Sequence, residues 1–258
     1  MTLSPPPRRV GMLTPSSNTV LEPYTSAMFA PFGDAGTVHY ARFRVVEISM
    51  SGASQGQFEM EPILEAAHRL AEAKVDLICW NGTAAAWLGL DRDRALCARI
   101  EAETGVPASS TMLAFEAAIA ARGVRRLALV TPYLSEIQER IIANYAAMGI
   151  GVVADERLED KGNFSFGEYG ADHVAGMIRR VAKAAPDAIA VMCTNFRGAP
   201  HAAAIEAETG IPVLDSVAVT AAHAMRRVGL DTGLVAGWGG VFAPEPAPEP
   251  APAPAPAP

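Results

Sequence analysis

Cys193 is the residue of this sequence best placed to do chemistry. It closes the apolar run 187–193 and is followed by Thr194 and Asn195. A thiol at a strand-to-helix turn faces the crevice in which parallel sheets bind ligands, and helix N-terminal N–H groups can lower its pKa from about 8.5. We therefore expect Cys193 to be a reactive thiol. The alternative is a small core residue, the commoner role of a free cysteine.

Other predicted strands also end in small polar residues with few charges. Hydroxyl groups, amides and backbone N–H groups are suited to binding carboxylates and oxyanions. The candidates are Ser16, Ser17, Asn18, Asn81, Thr83 and Tyr133, together with Thr194 and Asn195 beside the thiol. For the first loop, TPSSNT, the alternative is an ordinary helix N-cap.

An internal repeat indicates how these residues are positioned. Residues 100–107 read IEAETGVP and residues 205–212 read IEAETGIP. VGMLTP matches LALVTP, and DLICWNG matches DAIAVMC, in the same order along the chain. Three matched blocks predict two similar halves, about 8–120 and 124–240. The repeat places Gly82 opposite Cys193, whereas Cys79 and Cys97 are expected to be structural.

Each half reads strand, helix, strand, helix, which predicts an α/β fold. We expect two pseudo-symmetric lobes, each a parallel sheet flanked by helices, with the active site in the cleft between them. The predicted boundaries are 1–118, joined by 218–242, for the first lobe and 119–217 for the second. The predicted helices include 62–74, 92–104, 113–122 and 135–148, with Gly105, Gly123, Gly149 and Gly210 at C-caps. Residues 243–258 alternate Pro with Ala or Glu and predict a disordered tail.

Composition excludes several classes of protein. The 258 residues carry a formal net charge of −7 with no basic stripe, which argues against nucleic-acid and anionic-membrane partners. No apolar run reaches the roughly 18 residues of a membrane span. Three separated cysteines and no signal peptide predict a cytoplasmic protein, with a homo-oligomer possible. The histidines lack metal-ligand spacing, no cofactor is expected, and Asp91 and Asp93 are expected to begin a solvated helix.

The chain resembles the Asp/Glu racemase superfamily, in the branch of maleate cis-trans isomerases and arylmalonate decarboxylases. The resemblance covers residues 8–240 and is carried by VGMLTPSSNTVLEP, TPYLSEIQERI, KGNFSFGEYG and the Cys193 segment. It implies that Asn18 and Asn163 bind substrate and that Tyr133 binds a carboxylate or oxyanion. It also implies that Cys193 is a general acid/base.

Departures from the family pattern lie around Gly82. Isomerases carry a nucleophilic cysteine there, whereas the decarboxylases have glycine followed by two hydroxyl residues. This chain has Gly82 and Thr83 but then Ala84. The resemblance thus favours a cofactor-independent decarboxylase of a malonate-type diacid, in which Cys193 protonates an enediolate held by Thr83 and Tyr133. The alternatives are a maleate isomerase-like enzyme on a small dicarboxylate and an inactive carboxylate-binding module. We further expect a cysteine introduced at Gly82 to face the substrate carbon.

Overall fold

The sheets of this protein fit the predicted α/β class. The computed structural model describes residues 6–45 and 60–243. Within these ranges, the first parallel sheet has the order β2-β1-β3-β4 and the second has the order β6-β5-β7-β8. The strands are β1 (Arg8–Pro15), β2 (Gly36–Phe43), β3 (Leu77–Trp80), β4 (Ala108–Ser110), β5 (Arg126–Thr131), β6 (Gly151–Arg157), β7 (Ala188–Val191) and β8 (Val213–Asp215). The identical order confirms the predicted two-lobed fold.

Helices connect the strands, as parallel pairing requires. Among the described residues they are α1 (Leu21–Phe29), α2 (Met60–Glu72), α3 (Ala85–Leu88), α4 (Leu90–Thr104), α5 (Thr111–Ala121), α6 (Ser135–Ala147), α7 (Ala171–Ala182), α8 (Ala202–Thr209) and α9 (Ser216–Arg227). The four predicted helices are confirmed to within two residues at each end. The four predicted cap glycines all have positive φ, the conformation that glycine adopts without penalty.

The repeated octapeptide is a helix-to-strand connection that is built the same way in both lobes. Glu101 and Glu206 each accept a hydrogen bond of 2.8 Å from the first backbone N–H of the following strand. Gly105 and Gly210 end the helices with φ of 69° and 71°. The strongest repeat in the sequence therefore has a structural role. It helps to identify the site only because it aligns the residues of the first lobe with those of the second.

Sheet register gives Gly82 and Cys193 corresponding places. Trp80 is the last residue of β3 and Val191 is the last residue of β7, and both strands pair with the central strand of their sheet in the same way. Gly82 follows the last residue of β3 by two positions, and Cys193 follows the last residue of β7 by two positions. Because the carboxyl ends of parallel strands share one edge of a sheet, both residues lie where ligands bind.

Helices cover the parallel sheets and bury the interiors of β1, β3, β4, β5, β7 and β8, whereas the edge strands β2 and β6 are partly exposed. Helix α9 packs against α5 and α1.

The lobe boundaries and the assignment of 218–242 to the first lobe stay predictions. The predicted tail lies outside the described residues from position 244 onward. Within the described ranges, no helix combines the length and apolar character needed to cross a bilayer.

Candidate active site

A small cavity lies where strand ends of the two lobes meet. Six of the residues predicted from the sequence line it: Gly82, Thr83, Tyr133, Asn163, Cys193 and Thr194. Five further residues complete the lining: Ala84, where the sequence lacks the expected second hydroxyl, and Pro15, Val45, Trp80 and Trp87, which sequence reasoning missed. The cavity volume is about 20 Å³, room for about one water molecule. A diacid could enter this cavity only if side chains moved.

Thr83, Tyr133 and Cys193 form a chain of contacts across the cavity. The Thr83 hydroxyl lies 2.6 Å from the Tyr133 hydroxyl, and the Tyr133 hydroxyl also hydrogen-bonds with the Cys193 thiol. Trp87 and Phe166 pack edge-on against the Tyr133 ring at centroid distances of 5.2 and 5.7 Å. A hydroxyl pair from the first and second lobes thus stands directly beside the thiol.

Burial controls the protonation state of the thiol. It raises the pKa of Cys193 to about 12, although the Asn195 N–H, 3.4 Å from the sulfur, and the Tyr133 hydroxyl act to lower it. The expectation that N–H groups of a following helix would lower the pKa of Cys193 is wrong for two reasons. The chain after Cys193 is a turn, and the next helical segment begins only at Ala199. Desolvation also outweighs the single N–H donor that the turn supplies. Burial and the neighbouring Cys193 also raise the pKa of Tyr133 well above its usual value. Both groups are therefore proton-bearing donors at neutral pH.

Ser216 fixes the backbone of the thiol residue. The Cys193 N–H donates to the Ser216 hydroxyl at 3.1 Å, and that hydroxyl donates to the Val191 carbonyl at 2.7 Å. Thr111 makes the matching contact in the first lobe, with its hydroxyl 3.4 Å from the Trp80 carbonyl. The repeat alignment, which pairs Thr111 with Ser216, is the signal that would have identified this residue.

Asn18 caps helix α1 and reaches across to the second lobe. Its side-chain oxygen accepts hydrogen bonds from the N–H groups of Val20 and Leu21 at 3.0 and 2.9 Å. Its side-chain nitrogen donates to the Thr194 hydroxyl at 3.1 Å. The amide is therefore engaged in contacts within the protein, and a direct contact with substrate stays a prediction.

Asn195 ties the lobes together from the other side. Its side-chain oxygen accepts from the N–H groups of Thr19 and Val20 at 2.9 and 3.2 Å. Its nitrogen donates to the Asn163 carbonyl at 2.5 Å. Asn195 does not line the cavity; it holds the first loop against the second lobe.

The remaining predicted residues support the cavity from behind. Ser17 donates to the Val45 carbonyl at 2.6 Å and accepts from the Asn163 amide at 2.8 Å. Ser16 accepts from the Val45 N–H at 3.2 Å. The Asn81 side chain donates to the Cys79 carbonyl at 3.0 Å. A substrate contact for Ser16, Ser17 or Asn81 stays a prediction.

Asp93 corrects one expectation about helix α4. Asp91 is exposed, but Asp93 is only 3% exposed. Burial raises the pKa of Asp93 to about 6, against hydrogen bonds from the side chains of Ser110 and Trp80 that act to lower it. The acidic start of this helix is therefore solvated on one side and buried beside the cavity wall on the other.

Two further features were compared with the predicted site. In the part of the chain that the structure describes, no group of three or more His, Cys, Asp or Glu side chains is arranged to hold a metal ion. A larger cavity of about 310 Å³ lies between α3, α4, α5 and α6, but none of the predicted site residues lines it. Its arginine, Arg94, is paired with Glu116 at 2.6 Å.

Comparison with known proteins assigns the class. The family model for arylmalonate decarboxylase matches residues 13–242. The chain therefore belongs to the arylmalonate decarboxylase family, within the branch of the Asp/Glu racemase superfamily that also holds maleate isomerases. Among its relatives are the maleate isomerase of Nocardia farcinica, 26% identical over 232 residues (86% of this chain and 91% of the relative), and the arylmalonate decarboxylase of Bordetella bronchiseptica, 26% identical over 194 residues (71% and 78%).

Solved structures agree with this assignment. Nocardia farcinica maleate cis-trans isomerase bound to TRIS is similar with a TM-score of 0.80 and 26% identity, over 91% of this chain and 97% of the other. A crystal structure of arylmalonate decarboxylase shares the fold with a TM-score of 0.72 and 21% identity, over 91% and 98% of the two chains. The protein is an enzyme of the isomerase or lyase class, as predicted.

Proposed function

We propose that this enzyme is a cofactor-independent decarboxylase of a small malonate-type dicarboxylate, in which Cys193 is the single acid that protonates the substrate carbon. One observation carries the proposal: a buried, protonated thiol touches Tyr133 on one side of the cavity, while the corresponding position on the other side is Gly82. A protonated thiol suits an acid that delivers one proton to a carbanion.

The proposed reaction has two steps. The bond between the α-carbon and one carboxylate breaks, carbon dioxide leaves, and the electron pair passes into an enediolate formed from the remaining carboxylate. The hydroxyls of Thr83 and Tyr133 hydrogen-bond the enediolate oxygens, and each such donor contributes about 3–4 kcal/mol. Cys193 then donates its proton to the α-carbon, and the thiolate regains a proton from water.

The neutral lining supports loss of carbon dioxide. Among the described residues that line the cavity there is no Lys or Arg, and Val45, Trp80 and Trp87 supply apolar surface. A carboxylate placed against such surface loses hydration that carbon dioxide does not need. An apolar wall therefore favours departure of the carboxylate that it contacts.

The dicarboxylate class is supported by relatives. The Pseudomonas putida S16 maleate isomerase has been solved with maleate, and the Nocardia farcinica enzyme with a covalently bound succinylcysteine intermediate. Maleate and the succinyl group are both four-carbon diacid units. A small dicarboxylate is accordingly the substrate class that we propose here.

Cis-trans isomerisation is the second candidate, favoured by Asn163 in the cavity lining and by the relatives named maleate isomerase. That reaction needs a thiolate to add to the double bond. Of the described cavity-lining residues, Cys193 alone carries a thiol, and its pKa of about 12 keeps it protonated. The electrostatics of the site therefore favour decarboxylation.

Proton NMR on two substrates tests the choice. We expect methyl(phenyl)malonate to lose one carboxylate and yield 2-phenylpropionate, and we expect maleate to remain unchanged. Formation of fumarate from maleate would show that the protein is an isomerase and would contradict the proposed decarboxylase function. Thermal stabilisation by both diacids without turnover would indicate a carboxylate-binding module.

A further inference from the structure

The indole of Trp80 lies over Gly82. A Cβ atom built on Gly82 would lie 2.0 Å from Cζ2, 2.5 Å from Cε2 and 2.6 Å from Cη2 of that ring. These distances are far inside van der Waals contact between carbon atoms. The ring and any side chain at position 82 therefore compete for the same volume.

Neighbours hold the ring in this position. Phe43 packs on the indole with ring centroids 5.0 Å apart. The Trp80 side chain also hydrogen-bonds with the buried carboxyl of Asp93. Trp80 itself is 2% exposed. The indole cannot move aside without losing the ring contact and leaving a buried carboxyl with one partner fewer.

The second lobe has a small residue at the corresponding position. Val191 ends β7 as Trp80 ends β3, and Cys193 follows Val191 as Gly82 follows Trp80. Gly82 and Cys193 both lie just past the ends of their strands, so the comparison rests on this equal spacing and on the contact of the Gly82 position with the indole. Valine is smaller than tryptophan, and in the second lobe the thiol of Cys193 lines the cavity. In the first lobe the tryptophan ring occupies the volume that a side chain at position 82 would need.

We propose that Trp80 is a specificity-determining residue that enforces a one-thiol site: its indole fills the space of a second acid/base and forms the wall opposite Cys193. The effect on reaction outcome rests on the proposed function, since it concerns which face of the enediolate receives a proton. The structure also corrects the expectation for Gly82→Cys, because the introduced side chain would meet the indole before it could face the substrate carbon.

A two-by-two set of variants tests this proposal: wild type, Gly82→Cys, Trp80→Val and the double variant. Valine is chosen because Val191 is the corresponding residue beside Cys193. Racemisation of one enantiomer of 2-phenylpropionate in heavy water reports a second acid/base, because one thiolate must remove the α-proton while a thiol on the other face delivers a deuteron. We expect Gly82→Cys to racemise no faster than wild type and the double variant to racemise at least tenfold faster than either single variant.

Thermal unfolding provides a readout that does not depend on activity. Gly82→Cys should lower Tm strongly, or prevent folding, when Trp80 is present, and should have little effect in the Trp80→Val background. Trp87→Val is the matched control, because Trp87 lines the cavity but is not among the nearest neighbours of Gly82; it should not rescue Gly82→Cys. Equal loss of Tm with and without Trp80, or racemisation by Gly82→Cys as fast as by the double variant, would overturn the proposal. Rescue of Tm without activity in any variant would contradict the proposed function but not the steric role of Trp80.

Discussion

At the scale of single residues, the environment of Cys193 decides what its thiol can do. The Asn195 N–H in the turn after β7 and the Tyr133 hydroxyl both favour the thiolate, yet complete burial keeps the proton on sulfur. A substrate carboxylate bound nearby would add a like charge and favour the thiol further. The Cys193 thiol is thus an acid that donates its proton only when a more basic carbanion forms beside it.

Cys193→Ala should lower kcat for decarboxylation by about 10²- to 10⁴-fold, the usual contribution of a positioned acid. Cys97→Ala is the matched control, because burial raises the pKa of Cys97 to about 12 as well but this residue lies in α4 away from the cavity lining. Steady-state carbon dioxide release and Tm should be measured for both. Turnover within tenfold of wild type in the Cys193 variant would remove this residue from the mechanism.

Residue types at strand ends indicated part of the site, and tertiary contacts decided the rest. Cys193 and Thr83 stand in the cavity as their strand-end positions predict, and the resemblance directed attention to Tyr133. Asn195 looked equivalent in sequence, but its amide is used between the lobes. Trp80 was missed although it ends β3 only two residues before Gly82, because an apolar residue in a strand is usually read as core.

At the scale of elements, helix ends connect the fold to the site. Asp215 ends β8 and caps α9, with its side-chain oxygen accepting from the N–H groups of Val217 and Ala218 at 2.9 and 3.2 Å. Ser216, next in the chain, holds the backbone of Cys193. The buried side chain of Asp215 therefore anchors the helix that positions the thiol.

Asp215 should make stability fall with rising pH. Burial raises its pKa from 3.8 to about 7 against the capping N–H groups. A raised pKa in the folded state means that the contribution to stability is full below about pH 4 and is lost as pH rises through about 7. Asp215→Asn keeps a capping oxygen and cannot ionise, so Tm should fall less between pH 5 and pH 8 than in wild type.

Asp231→Asn is the control for this experiment, because Asp231 caps an exposed turn through the Gly233 N–H at 2.9 Å. Its Tm should change with pH as wild type does. A slope of Tm against pH in Asp215→Asn equal to that of wild type would show that this carboxyl does not titrate in the range expected.

At the scale of the whole molecule, two lobes with one architecture form an asymmetric site. The repeat made the fold predictable, since three matched blocks can only be reconciled by two lobes of the same order. It could not give the size of the cavity, which depends on how Trp80, Trp87 and Tyr133 pack across the cleft. Under the proposed function, symmetry positions the reacting groups, and the departures from symmetry set which face of the substrate is protonated.

The stereochemistry of decarboxylation tests the central claim most directly. Methyl(phenyl)malonate is prochiral, so a single acid on one face must give one enantiomer of 2-phenylpropionate. The measurement is chiral chromatography of the product formed in heavy water, with mass spectrometry to count deuterium at the α-carbon. The one-thiol account predicts a single enantiomer carrying one α-deuterium; a racemic product formed by the enzyme, or no decarboxylation with conversion of maleate to fumarate, would contradict it.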